Sequence, residues 1–200
     1  MGVVNEHGGL LYAAQLSVAP LGRFDDLSEG DIKREHRPRL LFSVGGAFNQ
    51  NTNRSQSTIG STYTLAGFDY LHASVAAMFK FRGFSAHGEF LYRRASEPSH
   101  TGIPTGGKAA ITEYARSARG YFVQASQMLG PQWQVVGRIG EYAPIGETDP
   151  KLKRSRELGF ALNHYFMAHN LKLQTDYFYL HGSDFADGHH HVRMQLQAYF

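Results

Sequence analysis

Residues 191–200, HVRMQLQAYF, alternate between apolar and polar side chains over nearly their whole length. The two sets fall on opposite faces of an extended strand: Val192, Met194, Leu196, Ala198 and Phe200 on one, and Arg193, Gln195, Gln197 and Tyr199 on the other. Because neighbouring side chains of a β-strand point to opposite faces, this stretch predicts a strand between an apolar medium and an aqueous one. A soluble β-sandwich also alternates, but an amphipathic strand that closes on an aromatic residue is typical of a transmembrane β-barrel.

The composition fits one domain and excludes several classes of protein. No run approaches the roughly 18 apolar residues of a membrane-spanning helix, so a helical membrane protein is excluded, whereas a barrel needs apolar residues only at alternate positions. The chain has no cysteine, which rules out disulfides, thiolate metal sites and cysteine nucleophiles. The net charge of +3 is as compatible with a mixed solvated surface as with a basic pore.

The same alternation recurs along the chain and predicts about nine strands. They are residues 9–21, 39–50, 68–81, 84–94, 114–129, 133–143, 156–168, 171–181 and 191–200. Arg82-Gly83 separates two of them, and a two-residue connection containing glycine is the signature of a tight hairpin turn. The charged stretch FDDLSEGDIKREHR, residues 24–37, predicts a loop with at most one helical turn.

Short and long connections alternate between these strands. Three connections are short (82–83, 130–132 and 169–170), and the others, 51–62, 96–113, 145–155 and 182–190, are predicted to be long loops. Membrane barrels keep short turns on the periplasmic side and long loops outside, so the alternation predicts that the chain ends at the periplasmic rim. Residues 23–37 are the exception, because they are long where a short turn is expected.

The first residues, MGVVNEHGGLLYA, lack the basic and apolar regions of a signal peptide. The protein is therefore either cytosolic or the later part of a longer precursor. Bacterial single-chain barrels use even numbers of strands, and nine is odd. We therefore expect residues 1–200 to be a single β-barrel domain that forms the C-terminal part of a larger barrel.

Several stretches resemble the phosphate-selective porin O/P family of outer-membrane porins. They are LYAAQLSVAPLG, KFRGFSAHGEFLYRRA, GYFVQASQML, WQVVGRIGEYAP, ELGFALNHYF, LKLQTDYFYL and VRMQLQAYF. The resemblance implies a sixteen-stranded homotrimeric porin of the bacterial outer membrane, of which this chain matches roughly the last nine strands. It also implies that the chain contacts outer-membrane lipid, passes small anionic, phosphate-like solutes, and engages the barrel-assembly machinery through the strand ending in Phe200. The front half, which holds the constriction loop and basic residues of the family, has no counterpart here.

If the more apolar face of each strand meets lipid, the other face lines the pore. The candidate anion contacts are Arg39, Arg93, Arg138, Lys172 and Arg193, and the pore-lining acids are Glu89 and Asp176. Gln124, Gln174, Gln195 and Gln197 fall on the same face. Basic residues outnumber acids, which favours anions. The alternative is that these arginines form ordinary cross-strand pairs with Glu89 and Asp176.

The aromatic residues of the apolar face have two possible roles. Tyr92, Tyr121, Tyr177, Tyr179 and Phe200 would form girdles near the two membrane interfaces. In the alternative, a soluble β-barrel binding protein, this face would point inward around a ligand.

The remaining motifs give little support for other chemistry. His189, His190 and His191, with Asp184 and Asp187, favour a solvated loop over a metal site, because adjacent side chains of an extended segment point apart. Ser155, Asn163 and His164 suggest a barrel hydrolase only weakly, since no nucleophile motif is present. No nucleotide-binding fingerprint occurs. We expect no enzyme activity, no cofactor, no metal and no nucleic-acid partner, with the barrel hydrolase left open as an alternative.

Overall fold

The computed structural model describes residues 9–24, 26–56, 59–168 and 170–199. Within these ranges the chain forms thirteen β-strands and no helix, and therefore no helix that could cross a membrane. The strands are β1 (Leu11–Val18), β2 (Arg39–Thr52), β3 (Arg54–Gln56), β4 (Ile59–Thr62), β5 (Phe68–Phe81), β6 (Phe84–Ala95), β7 (Ser99–Gly102), β8 (Ile111–Tyr114), β9 (Ala118–Leu129), β10 (Trp133–Pro144), β11 (Ser155–Met167), β12 (Leu171–His181) and β13 (His189–Ala198).

Nine of these strands form one antiparallel sheet. Their order is β1-β2-β5-β6-β9-β10-β11-β12-β13, so each strand pairs with the next sheet strand along the chain. This confirms the predicted all-β antiparallel fold and the count of about nine alternating strands. The predicted limits of β5 and β12 are confirmed to the residue. Within the described residues β1 and β13 do not pair with each other, so both are edges of the sheet.

Two predicted loops instead contain short hairpins. β3 pairs with β4 inside residues 51–62, and β7 pairs with β8, which lies within residues 96–113 except for its last residue, Tyr114. These strands are only three or four residues long and rich in polar side chains, so they lack the alternation that reveals a strand in a sheet with one apolar face. The prediction of a long loop at each place therefore missed the strands that these residues form.

The start of β9 was also placed too early. Residues 111–114 belong to β8, and the backbone between the two strands is engaged elsewhere: the Ala115 amide donates to the Pro98 carbonyl, and the Ala115 carbonyl accepts from the Asp149 amide. β9 consequently begins at Ala118. Other boundaries differ by a few residues. The largest reduction in length is in β1, which was predicted over residues 9–21 and spans Leu11–Val18.

The turn between β5 and β6 has the predicted tight geometry. Arg82 and Gly83 have φ angles of 51° and 87°, and positive φ at both central residues is the backbone of the turn that best matches the twist of antiparallel strands. The β9–β10 turn also uses a positive φ, of 65°, at Gly130. Both turns lie at the same end of the sheet, which is called the short-turn end below.

The opposite end, called the long-connection end, holds a small aromatic core. Tyr63, Phe68, Tyr70, Ala95 and Ala115 are buried there against one another. The Tyr63 and Tyr70 hydroxyl oxygens lie 3.0 Å apart, and Tyr63 also donates to the Tyr114 carbonyl at 3.1 Å. Burial, together with the hydrogen bond to Tyr70, raises the pKa of Tyr63 well above its ordinary value. The long connections are therefore packed together at their base.

The sheet has two chemically different faces. Side chains that are directly opposite in the register share a face, which joins Val44 to Val75, and Val123 to Ile139. The side chains on this side of the sheet, which include Phe160, are apolar and uncovered: Val44 and Phe160 are each 56% exposed and Val123 is 49% exposed. We call this the apolar face, and its opposite the polar face.

Candidate functional site: the polar face of the sheet

The register places all seven predicted site residues on the polar face. One row of directly paired positions runs from Arg39 through Lys80, Ser85 and Ser126 to Asp176 and Arg193. Glu89, Arg93, Arg138 and Lys172 lie an even number of positions away from that row on their own strands, so they share the face. The seven residues therefore share one face of the sheet.

Three of the five predicted basic residues form ion pairs. The Nε atom of Arg193 lies 2.9 Å from Asp176 Oδ1, which is a cross-strand pair of the kind expected for these two residues. Arg39 Nε lies 3.4 Å from Glu35 Oε2. These pairs leave less positive charge on the face than the residue count indicates.

Arg138 pairs with a carboxylate that the sequence did not single out. Its Nε atom lies 2.6 Å from Glu157 Oε1, and its guanidinium carbon lies 4.0 Å from the centre of the Phe122 ring. Glu157 reaches this position across Gly140, where a Cβ would come within 2.8 Å of Oε1. The glycine therefore makes room for the pair. Cross-strand pairing of these arginines with Glu89 was the alternative prediction, and Glu89 has no ion pair within the described residues.

Arg93 and Lys172 have no carboxylate partner in the part of the chain that the structure describes. Arg93 donates from Nη2 to the Ser55 carbonyl at 3.0 Å, and its guanidinium carbon lies 3.8 Å from the centre of the Tyr70 ring. Its buried Nε atom has no hydrogen-bond partner among those residues. Among the described residues, no carboxylate therefore neutralises the positive charge of Arg93 or Lys172.

Two hollows lie on the polar face. The larger, of about 920 Å³, is lined by residues that include His72, Ser74, Glu89, Arg93 and Arg116. The second, of about 770 Å³, includes Arg138, Lys172, Gln174, Asp176 and Arg193 in its lining. Each hollow thus holds one of the two predicted basic residues that have no carboxylate partner within the described residues.

Residues 23–24 and 26–37, which follow β1 and precede β2, fold onto the polar face and are called the inner segment here. It contains turns and bends but, in the part that is described, no helical turn. Lys80, which is 2% exposed, holds it: Nζ donates to the Asp26 carbonyl at 2.9 Å and to the Gly30 carbonyl at 3.2 Å. The same ammonium lies 3.3 Å from the Asp26 carboxylate. A segment expected to be a surface loop is therefore anchored by a buried cation.

A hydrogen-bonded chain of uncharged polar side chains begins beside Lys80, at Ser85, which is its partner in the register. Gln134 accepts hydrogen bonds at Oε1 from Asn163 and Tyr165, and donates to Ser126 Oγ at 2.7 Å. Ser126 in turn contacts the Ser85 hydroxyl at 2.7 Å. Such a network is favourable when its members have partners, because an unpaired buried polar group is costly, and within the described residues Asn163 Oδ1 is the one buried side-chain atom of this network without a hydrogen-bond partner. These hydrogen bonds therefore hold the polar side chains of this face in fixed positions.

Further contacts fasten the inner segment to the sheet. The buried carboxylate of Asp31 accepts from the Gly83 amide at 2.6 Å, and Arg34 donates to the Gly130 carbonyl at 2.6 Å. These contacts reach the β5–β6 and β9–β10 turns. In addition, Gln124 donates to the Glu29 carboxylate at 2.8 Å. The inner segment therefore covers the polar face near the short-turn end.

The electrostatic setting of Asp26 supports this anchoring. Burial acts to raise the pKa of Asp26, but hydrogen bonds from the backbone and side chain of Ser28, together with the Lys80 ammonium, outweigh it and hold the pKa below its ordinary value. The charged form of Asp26 is therefore the form that the fold prefers.

The other candidate groups are not brought together. Asn163 lies on the polar face, bonded to Gln134, whereas His164 lies on the apolar face with its ring centre 4.3 Å from that of Trp133. Ser155 is at the far end of the same strand. The hydrolase grouping is therefore absent from this arrangement.

The three histidines belong to the start of β13 and not to the predicted solvated loop, because β13 begins at His189. The rings of His189 and His191 are 6.2 Å apart, while His190 contacts Tyr177 through a 2.7 Å hydrogen bond. Across residues 9–24, 26–56, 59–168 and 170–199, no group of three His, Cys, Asp or Glu side chains could hold a metal ion.

The predicted girdle tyrosines lie on the apolar face. The register pairs Tyr92 with Ala73, Tyr121 with Phe90, and Tyr177 with Phe160. Tyr179 lies two positions beyond Tyr177 on the same strand. Phe200 and His169, which belong to the predicted end of the chain and to a predicted turn, lie outside the described residues.

Sequence reasoning missed the inner segment, Lys80 as its anchor, and Glu157. The period-two pattern of β5 puts Lys80 on the polar face, but nothing local in the sequence marks it as buried. Comparisons with protein-family models, with curated proteins and with solved structures found no match. The class of protein that can be stated is accordingly an all-β protein whose antiparallel sheet has one apolar and one polar face.

Proposed function

We propose that the protein is an outer-membrane porin through which small anionic solutes diffuse passively. The observation that carries the proposal is the division of the sheet into an uncovered apolar face and an ordered polar face. The apolar face continues across the sheet from Leu16 and Val44 to Phe160 and Met194, all at least half exposed. Water-soluble monomers rarely expose a contiguous apolar patch of more than a few hundred Å².

The position of the charged edge of the apolar face indicates that the strands are tilted, as the strands of a barrel are. At apolar-face positions near the long-connection end, charged residues appear at Arg94 on β6, Arg119 on β9, and Glu141 and Arg156 on β10 and β11. Arg119 pairs with Tyr92 and Glu141 pairs with Tyr121, so from β6 to β10 the edge moves along the sheet by two residues per strand. Strands tilted by about 35–45° against a bilayer would produce such a drift.

A barrel also requires that the edges be closed. Unpaired backbone groups are not tolerated in lipid, so β1 and β13 would have to pair with each other or with further strands. We propose a closed barrel on this ground, and the homotrimer and the assembly machinery remain part of the same proposal.

Anion preference would depend on Arg93 and Lys172, which have no carboxylate partner within the described residues. Arg93 in the larger hollow and Lys172 in the second would lower the energy of an anion in the aqueous path. The paired residues Arg39, Arg138 and Arg193 would contribute less. Gln174 and Gln195, which line the second hollow, would keep binding weak enough for release.

Reversal potentials in planar bilayers with a salt gradient test the proposal. We expect anion preference, and we expect Arg93→Glu and Lys172→Glu each to reduce it. Lys108→Glu, on an exposed connection, is the matched control and should change it less. Cation preference of the unmodified protein, or equal effects of all three variants, would contradict the role of these two residues. Absence of any conductance would contradict the channel.

A further inference from the structure

The long-connection end of the apolar face ends in a line of charged side chains. Arg94, Arg119, Glu141 and Arg156 occupy neighbouring positions on β6, β9, β10 and β11, directly or diagonally opposite one another. Such neighbours lie within about 4.5–8 Å of each other at Cβ, within reach of one bound group. We call Arg94, Arg119 and Arg156 the arginine border.

The arginine border carries more positive charge than its acids neutralise. Arg156 Nε lies 2.6 Å from Glu141 Oε2, and Arg119 and Arg154 are close enough to act electrostatically on the same carboxylate. Arg94, Arg119 and Arg154 are exposed and make no ion pair within the described residues. The Glu141 carboxylate is therefore shared by three guanidinium groups, those of Arg119, Arg154 and Arg156. Arg94 is not one of them.

A groove of about 630 Å³ joins part of this border to the apolar face. Its lining includes Arg94 and Arg119 beside Phe90 and Tyr92, with Glu147 as its acid. The two guanidinium groups thus lie directly beyond aromatic side chains that face outward. Guanidinium groups bind phosphate through paired hydrogen bonds, and aromatic and aliphatic side chains pack against acyl chains.

The short-turn end of the apolar face is different. Its last positions on β6, β9 and β10 are Phe84, Leu129 and Trp133, which carry no charge. The border is thus a feature of one end rather than of both.

We propose that the arginine border binds the phosphate groups of lipid headgroups in the leaflet at the long-connection end. The proposal rests on the membrane location proposed above. Charge complementarity and the adjoining apolar groove both favour a lipid over another protein, since the groove offers a phosphate contact and an acyl contact side by side.

Native mass spectrometry of the detergent-solubilised protein tests this with dioleoyl phosphatidic acid and dioleoylglycerol, which share acyl chains but differ in the phosphate. We expect tighter binding of phosphatidic acid. Arg94→Gln with Arg119→Gln should weaken it by about tenfold or more, since a basic side chain near a charged lipid surface is worth about 1 kcal/mol. Lys33→Gln with Lys108→Gln removes the same charge at exposed sites elsewhere and should have little effect.

Equal binding of the two lipids, or equal losses in both double variants, would overturn the proposal. Displacement of the lipid by millimolar inorganic phosphate would overturn the lipid part and leave a site for free phosphate. Quenching of Trp133 by brominated lipid reports membrane insertion separately. If the protein inserts but binds the two lipids equally, only the role of the arginine border in phosphate binding is contradicted. If the protein does not insert, the proposed function itself is contradicted.

Discussion

The two faces of the sheet come from the same strands but are organised differently. On the polar face, Lys80 is 2% exposed and Gln134 is 2% exposed, because the inner segment and a hydrogen-bond network cover them. On the apolar face, Val75 is 51% exposed and Phe160 is 56% exposed, and no segment of the described chain covers them. In a water-soluble protein the distribution is the reverse, because apolar side chains are the ones removed from water.

This contrast shows that contacts within the chain order the polar face, whereas the side chains of the apolar face have no such cover within the described residues. Buried charges need exact partners, and Lys80 has four oxygen atoms within hydrogen-bonding or ion-pairing distance. Apolar side chains in contact with lipid need none. The following variants test the contrast, beginning with the largest expected effect.

Exchange of Val75 for Arg should show whether the apolar face is in contact with lipid or with water. In a bilayer, arginine near the middle of a spanning strand costs about 2–4 kcal/mol in the free energy of unfolding. At an exposed site in water the same change is usually within about 0.5 kcal/mol. Urea unfolding in lipid vesicles measures the difference, and Ser74→Arg, one residue away on the polar face beside the larger hollow, is the control. A harmless Val75→Arg with a damaging Ser74→Arg would reverse our assignment of the faces.

Exchange of Lys80 for Met should release the inner segment. Hydrogen bonds to a charged group contribute about 1.5–3 kcal/mol, so we expect the amides of residues 26–35 to lose about tenfold or more of their protection from hydrogen exchange. Lys172→Met removes an equal charge from the same face without breaking an ion pair, and should leave these amides unchanged. If both variants behave alike, Lys80 is not the anchor.

Acid should loosen the inner segment by a smaller amount. The pKa of Asp26 is lowered in the folded protein, so its contribution is complete above the unfolded value of about 3.9 and is lost as the pH falls through the lowered folded value. Protection factors of residues 26–35, corrected for intrinsic exchange at each pH, should therefore decline below about pH 4. Asp26→Asn should remove this decline, and an unaltered pH profile in that variant would assign the effect to another group.

The division into faces could be predicted because it depends on a local period of two. Tyr92, Tyr121 and Tyr177 share the apolar face, as the alternation predicted, and the tight turn at Arg82-Gly83 followed from its residue types. Both signals are contained within a few residues of the chain.

The inner segment could not be predicted because its partners are remote in sequence. Lys80 is 54 residues from Asp26, and Gln124 is 95 residues from Glu29. A charged stretch satisfied by distant groups has the composition of a solvated loop. The pairing of Arg138 with Glu157 likewise required the register of β10 against β11, which brings Gly140 opposite Glu157.

Trp133 provides the most direct test of the central claim, because it is the single tryptophan of the chain and is 45% exposed on the apolar face near the short-turn end. We predict that, in phospholipid vesicles, its fluorescence is quenched by brominated acyl chains, more strongly by bromines near the headgroup than by those near the bilayer centre. The account also predicts little quenching by aqueous iodide. A protein that remains monomeric in detergent-free buffer, with Trp133 quenched by iodide and unaffected by brominated lipid, would contradict it.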